Sequence, residues 1–363
     1  MMKAAVYRGA NRIEVEEVPV PQPGPGEVLL RVAACGVCGT DLKKIAHGDL
    51  PPPRIFGHEV AGRVAAVGAG VRGWKEGDRA LFFHHIPCRR CERCREKAYA
   101  QCPQYLRVGT TAGFEPAGGG FAEFVKVSDW IAREGLVKIP DGVEDEAATF
   151  VEPVNTCLKG IQKAGIRPGR SVLILGSGPV GLILLQLAKL SGAVVSVADP
   201  IRERLETAKK LGATDTYTSF PRKACPRLDR GRESTTDPRV REDDIDVVLV
   251  AAAAPQAIQT ALDAVRPAGR VVLFAQTRVG ETAAVDVGQI GKLEKELVGS
   301  YSADVDLQQE AARLVFSGAI QVKPLITHRF PLEKIAEALK VAANPSAQSL
   351  KVLITPNGVY QSA

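Results

Sequence analysis

Between residues 171 and 199 the pattern of apolar positions changes period twice. Ser171 to Leu175 is a short, continuous apolar run with the character of a buried strand, and Pro179 to Leu190 is an apolar segment of helical length that ends near Ser191-Gly192. A second β-branched run, Val194 to Val197, follows and leads into Asp199. The same alternation continues with a helix over 201–211 closed by Gly212, a strand over 245–250, a helix over 257–265 and strands over 270–274 and 297–301. Strands that alternate with helices in this way predict an α/β unit with a parallel, doubly wound sheet and right-handed crossovers. The first 150 residues read differently. Ile13 to Glu16 and Val28 to Val32 have strand character, the segment between them is rich in Pro and Gly, and more short strands follow among many glycines. The pattern therefore divides the chain into a β-rich domain over 1–152 and a doubly wound domain over 153–302. A tail over 303–363, with helices near 307–316 and 332–341 and a strand over 351–355, is expected to pack back on the first domain. Residues 221–243 have almost no apolar periodicity where a crossover helix belongs, and read as a solvated, disordered insertion that carries Cys225 as an exposed thiol.

The turn inside the 171–199 unit, Gly176-Ser177-Gly178-Pro179-Val180-Gly181, has the spacing of a dinucleotide-binding loop. Gly176 allows the tight turn, Gly178 lets the backbone approach a pyrophosphate, Gly181 lets helix and strand pack closely, and the helix N-terminus faces the anion. Asp199, about 20 residues further on, suits the hydroxyls of the adenosine ribose. Its charge would repel a 2′-phosphate, which favours NAD over NADP, although Arg202 and Arg204 follow closely.

Composition narrows the class. The 363 residues suffice for two domains, and 45% hydrophobic with 24% charged residues is ordinary for a soluble globular enzyme. A net charge of +6 is spread along the chain, and only 5% of residues are aromatic, so neither a basic face nor a stacking platform for nucleic acid is present. The first residues lack the apolar core of a signal peptide, and no stretch reaches 18 uncharged apolar residues, so the expectation is a cytoplasmic protein without a membrane segment. Eight cysteines in that compartment should be thiols or metal ligands.

Four of them, Cys88-x2-Cys91-x2-Cys94-x7-Cys102, are close enough to converge on one tetrahedral ion. Four sulfurs leave no position for a substrate, so such a zinc would be structural; an iron–sulfur cluster is the chemical rival. His84 and His85 precede this set, where a structural or pocket-lining role is expected. A second set is dispersed: Cys35 to Asp41, which includes Cys38 and Thr40, then His58-Glu59, then Glu152 before Pro153. One thiolate, one imidazole and one or two carboxylates can hold a catalytic zinc with a position left open. Each residue alone also has an ordinary explanation in a core or on a surface.

Gly57-His58-Glu59-x2-Gly62-x5-Gly68-x2-Val71 resembles the zinc signature of the medium-chain dehydrogenase/reductase family. The lobe at 88–102, the 171–199 unit, and the tail from Lys323 to His328 and Phe330 to Ile335 are similar to that family as well. The resemblance covers nearly the whole chain apart from 221–243. It implies a GroES-like catalytic domain and a Rossmann domain, two zinc ions per subunit, and a homodimer or homotetramer, for which the end strand over 297–301 offers a pairing edge. It places Cys38 and His58 on the catalytic zinc with Glu152 in the position of the third ligand, and leaves Glu59 either a direct ligand or an outer group. Glu152-Pro153 is similar to the sorbitol branch, with the threonine dehydrogenase branch close by. Thr156 falls at a nicotinamide-side position, and Arg204 at the adenosine end. The implied reaction is hydride transfer between a secondary alcohol (polyol, sugar or amino alcohol) and NAD, with Thr40 relaying the hydroxyl proton; an inactive nucleotide-binding regulator is the alternative. Lys43 stands where many members have a histidine, and His47 is nearby, so the outer end of the relay is not assigned. Phe114 and Trp130 are candidates for the pocket or, more simply, for core packing.

Overall fold

Short strands, several of them buried along most of their length, make up the first part of the chain: β1 (Met2–Gly9), β2 (Arg12–Val18), β3 (Val28–Gly36), β4 (Arg54–Ile55), β5 (Glu59–Val67), β6 (Arg79–Phe82), β7 (Phe124–Val127) and β8 (Leu136–Lys138). The computed structural model describes residues 1–48, 50–104, 118–219, 245–275, 277 and 280–358. These fall into two compact units, Met1–Asn155 with Ala303–Ala363, and Thr156–Ser302, the division lying within the helix Val151–Ala164. The insertion expected at 221–243, with Cys225, and the candidate Phe114 lie outside the described residues.

The second unit contains β9 (Ser171–Leu175), β10 (Val194–Ala198), β11 (Asp215–Tyr217), β12 (Ile245–Val250), β13 (Val265–Leu273) and β14 (Glu296–Gly299). They form one parallel sheet in the order β11-β10-β9-β12-β13-β14. This is the doubly wound order, in which the order of strand addition reverses beside β9, where the glycine turn emerges. The helix Pro179–Leu190 is buried from Gly181 to Ala188, which explains its uninterrupted apolar sequence. Two boundaries differ from the sequence expectation. β13 begins at Val265 rather than near 270, through a register irregularity opposite Ile245–Val247, and β14 ends at Gly299, two residues before Tyr301.

The returning tail adds β15 (Ile326–Phe330) and β16 (Lys351–Ile354) to the first unit. Its larger sheet runs β15-β16-β3-β5-β6-β8, with β7 also on β3; the smaller runs β2-β1-β4. Tyr7 and Phe56, both fully buried, meet edge to face at 5.3 Å in the core, and Trp130 packs against the same core. The helix expected at 332–341 divides into a 3-10 turn, Leu332–Lys334, and a helix, Ile335–Ala343. In the pairing of β3 with β5, Gly36 lies opposite Glu59, which sets the end of β3 beside the His58-Glu59 pair. β16 pairs with that same end of β3, through Leu353 and Gly36. No helix among the described residues is long and apolar enough to cross a membrane.

Candidate active site

A helix not anticipated from the pattern, Gly39–His47, follows β3 and begins on Cys38. The Cys38 sulfur accepts the Thr40 N–H at 3.5 Å, and the Asp41 carboxylate accepts the Cys38 N–H at 3.3 Å, so the two side chains cap the helix reciprocally. Asp41 is fully buried, and its other oxygen lies 3.2 Å from His58 Nδ1. With Nδ1 turned to Asp41, Nε2 is the ring nitrogen left for a metal, the arrangement by which an outer carboxylate fixes a histidine ligand. Burial alone would push the His58 imidazole down, but the Asp41 and Cys38 charges outweigh it and hold it well above its ordinary range. Burial would likewise push the Asp41 carboxyl up, and the charge and hydrogen bond of His58 hold it low instead.

Donor atoms of Cys38, His58 and Glu59 lie within 4.8 Å of one another. Sulfur, imidazole and carboxylate at that separation fit a zinc site with an open position. Cys35, three residues before Cys38, is fully buried, and burial first, then the Asp41 and Glu59 charges, push its thiol well up, so it stays protonated. Glu59 is 1% exposed and pairs with Lys351 of β16, itself buried and donating to the Val37 carbonyl at 3.1 Å. Burial works against the Lys351 ammonium, yet the charges of Glu59, Cys38 and Glu152 hold it above the ordinary lysine range. A Cβ on Gly36 would collide with the Glu59 carboxylate and stand 2.8 Å from the Lys351 side chain, so this glycine leaves the space in which the pair forms.

Glu152, placed by resemblance as the third ligand, does not join this set among the described residues. It is half-buried in the first turn of its helix, and its charge acts on Lys351. Glu59 therefore completes the group that the chain assembles. Thr40 is half-buried in the first turn after Cys38, Lys43 is half-buried further along the helix, and His47 is exposed in its last turn. His84 is buried beside the site, its ring 4.9 Å from His58 and 4.1 Å from His85. Burial first, with neighbouring histidines and Lys44, pushes the His84 imidazole well down, and burial with Lys44 takes His85 to about 3. Both rings are neutral at neutral pH.

Asp41, Lys351 and Lys44 were not assigned from the sequence. Asp41 was signalled by its capping spacing, three residues after Cys38. Nothing near Lys351 in sequence marks it, because its partner lies almost 300 residues earlier.

The four-cysteine lobe also assembles. Donors of Cys88, Cys91, Cys94 and Cys102 lie within 4.8 Å of one another, with Cys88 to Cys94 at 3.9 Å and Cys91 to Cys94 at 3.5 Å. Sulfurs at ~2.3 Å from a tetrahedral zinc would be about 3.8 Å apart. Backbone N–H groups of Arg90 and Cys91 take the Cys88 thiol down to about 6, while burial and sulfur neighbours push Cys94 up to about 12.

In the second unit, Gly178 opens the helix that carries Pro179, Val180 and Gly181, and a Cβ on Gly181 would collide with the Gly176 carbonyl. Asp199 is buried at the end of β10, its two oxygens accepting Ser177 N–H at 2.7 Å and Ile201 N–H at 2.8 Å. The carboxylate is thus fixed against the glycine turn. An Arg204 guanidinium nitrogen lies 3.9 Å from where a Gly178 Cβ would stand, at the same turn. Thr156 is half-buried in the Val151–Ala164 helix.

Comparison with known proteins identifies the family of the chain. Residues 24–141 match the alcohol dehydrogenase GroES-like domain, and residues 179–317 match the zinc-binding dehydrogenase domain. Sorbitol dehydrogenase from Bacillus subtilis is 32% identical over 98% of both chains, and L-threonine 3-dehydrogenase from Pyrococcus abyssi is 34% identical over 94% of both. The crystal structure of a zinc-binding dehydrogenase from Sinorhizobium meliloti bound to NADP superposes with a TM-score of 0.84, at 30% identity and covering 98% of this chain and 99% of that one. The chain belongs to the zinc-dependent alcohol dehydrogenase family, within the medium-chain dehydrogenases/reductases, and is an oxidoreductase of that family.

Proposed function

We propose that the enzyme transfers hydride between a secondary alcohol of the polyol, sugar or amino-alcohol class and NAD, giving the ketone. The observation that carries this reading is the convergence of Cys38, His58 and Glu59 on one point, with both carboxylates around it, Asp41 and Glu59, held by charged partners. These three residues would hold the catalytic zinc, and Cys88, Cys91, Cys94 and Cys102 a structural one. A zinc ion bound there supplies Lewis acidity that lowers the pKa of the substrate hydroxyl.

The chain's own residues do the rest. Asp41 fixes the ring orientation of His58, and Lys351 holds Glu59 in place while sharing its charge with Glu152. Thr40 receives the hydroxyl proton and passes it toward the nicotinamide ribose, with Thr156 on the nicotinamide side. The turn from Gly176 to Gly181 binds the pyrophosphate, and Asp199 the ribose hydroxyls, with Arg204 at the adenosine end. The fixed carboxylate of Asp199 supports NAD over NADP, and the names of the relatives, sorbitol dehydrogenase and threonine dehydrogenase, support the substrate class.

Metal analysis and a substrate panel test this together. We expect about two zinc per chain, about one in Cys38→Ser, and NADH formation with at least one of sorbitol, xylitol, threonine or butane-2,3-diol. One zinc in the wild type, or initial rates with NADP equal to those with NAD, would overturn the corresponding part.

A further inference from the structure

We propose that His84 binds a second hydroxyl of the substrate, on the carbon next to the carbinol, so that the enzyme selects vicinal diols. The inference rests on the alcohol dehydrogenase reading above and deepens it. His84 follows β6 and is 3% exposed, with Phe83 at 5.7 Å, His85 at 4.1 Å and the metal-donor ring of His58 at 4.9 Å between ring centres. Its Nδ1 is buried and has no hydrogen-bond partner among the described residues. Leaving a buried polar nitrogen unsatisfied costs ~1–3 kcal/mol, and such a group calls for a specific explanation.

Position limits what could satisfy it. His84 lies against His58, one of the residues that would hold the metal, and is closed to the wider surface, so a substrate group that reaches it belongs to the part of the substrate next to the reacting carbon. Charge limits it further. Asp41 and Glu59 surround His58, while Lys44 acts on both His84 and Asp41, and Lys351 pairs with Glu59. Cys38 and Glu152 also act on Lys351, so the acidic groups outnumber the two ammonium groups and do not favour an anionic substituent. An imidazole offers one donor and one acceptor, the complement of a hydroxyl, which can be both. A monoalcohol would leave Nδ1 unpartnered, and a site built for a substrate hydroxyl discriminates against the analogue that lacks it.

The test compares butane-2,3-diol, butan-2-ol and 3-hydroxybutyrate as substrates of the zinc-loaded wild type, His84→Phe and His84→Gln. The wild type should prefer the diol. Its ratio of kcat/KM for diol over monoalcohol should fall about tenfold in His84→Phe, the worth of one hydrogen bond, and recover partly in His84→Gln. A ratio that is the same in wild type and His84→Phe overturns the proposal, as does a preference for 3-hydroxybutyrate, which would assign the subsite to an anion. Oxidation of none of the three by the wild type would instead count against the alcohol dehydrogenase reading itself and remove the proposal with it. A readout independent of turnover uses the imidazole nitrogen resonances of the zinc-loaded wild type. Butane-2,3-diol should shift the His84 signal more than butan-2-ol does, and equal or absent shifts overturn the assignment even if the Phe variant does not fold.

Discussion

Lys351 and Glu59 are an ion pair with almost no access to water, 6% and 1% exposed at the side chain. Removing one member of such a pair strands the other charge, which costs far more than the intact pair contributes. Lys351→Met should therefore destabilise the zinc-free protein by ~3–5 kcal/mol, whereas Lys351→Met combined with Glu59→Leu should recover most of that loss. Urea unfolding of the two variants measures the difference, and equal losses would mean that the buried charge is not the cause. Asp41 works through geometry instead. Its two oxygens are engaged by His58 Nδ1 at 3.2 Å and the Cys38 N–H at 3.3 Å, so it sets which ring nitrogen faces the donors. Asp41→Asn keeps the shape and loses the charge, so zinc affinity at the Cys38 site should weaken roughly 10–100-fold, read by competition with a chelating dye, while the four-cysteine site keeps its metal.

Among the elements, the cysteine lobe is joined to the returning tail by a small polar network. Arg89, in a left-handed conformation between two of the cysteines, donates to Glu134 at 2.8 Å and to Asp306 at 3.0 Å, and the Tyr99 hydroxyl donates to Asp306 at 2.7 Å. Metal retention in the lobe should depend on pH with a sign that follows from Cys88. Its folded pKa of about 6 lies below the ordinary thiol value of 9.0, so the thiolate is favoured in the folded lobe, fully above the ordinary value, and this advantage is lost as pH falls through about 6. Above that point Cys88 adds no proton to compete with zinc, and below it one more proton does. Zinc release to a chromogenic chelator at pH 7.5, 6.5 and 5.5 should therefore show a steeper loss of affinity in the lower interval than in the upper. A uniform slope would mean that Cys88 is not held down. The lobe was legible in the sequence because its four ligands lie within 15 residues of one another, from 88 to 102. The helix Gly39–His47 was not, since its cap is a cysteine and one of its polar side chains turns inward: Asp41 is buried, and an acid at that position usually marks a solvated face.

At the scale of the molecule, the doubly wound sheet was readable because its central strands are buried on both faces and so carry continuous apolar runs, of which Val172–Leu175 in β9 and Val247–Val250 in β12 are the clearest. The site was readable only in part. Cys38, His58 and Glu59 lie in recognisable local patterns, but Lys351 and His84 acquire their places from strand pairing across β16, β3, β5 and β6, which no local window contains. The same logic of sheet edges reaches beyond one chain. β14 ends its sheet, and among the described residues its outer side pairs with no strand, while Leu297 and Tyr301 at or just past it are 38% and 42% exposed. An exposed apolar edge is a template for another strand, and two copies related by a twofold axis would close it. We expect light scattering to give twice the chain mass, and the double variant Leu297→Lys, Tyr301→Lys to shift the protein toward the mass of one chain, because charged side chains on an edge oppose strand addition. The zinc content of that variant should stay at about two per chain, since neither residue touches a donor set. A wild type that runs as a single chain, or a double variant that keeps its partner, would mean that β14 is covered by something other than a second copy of itself.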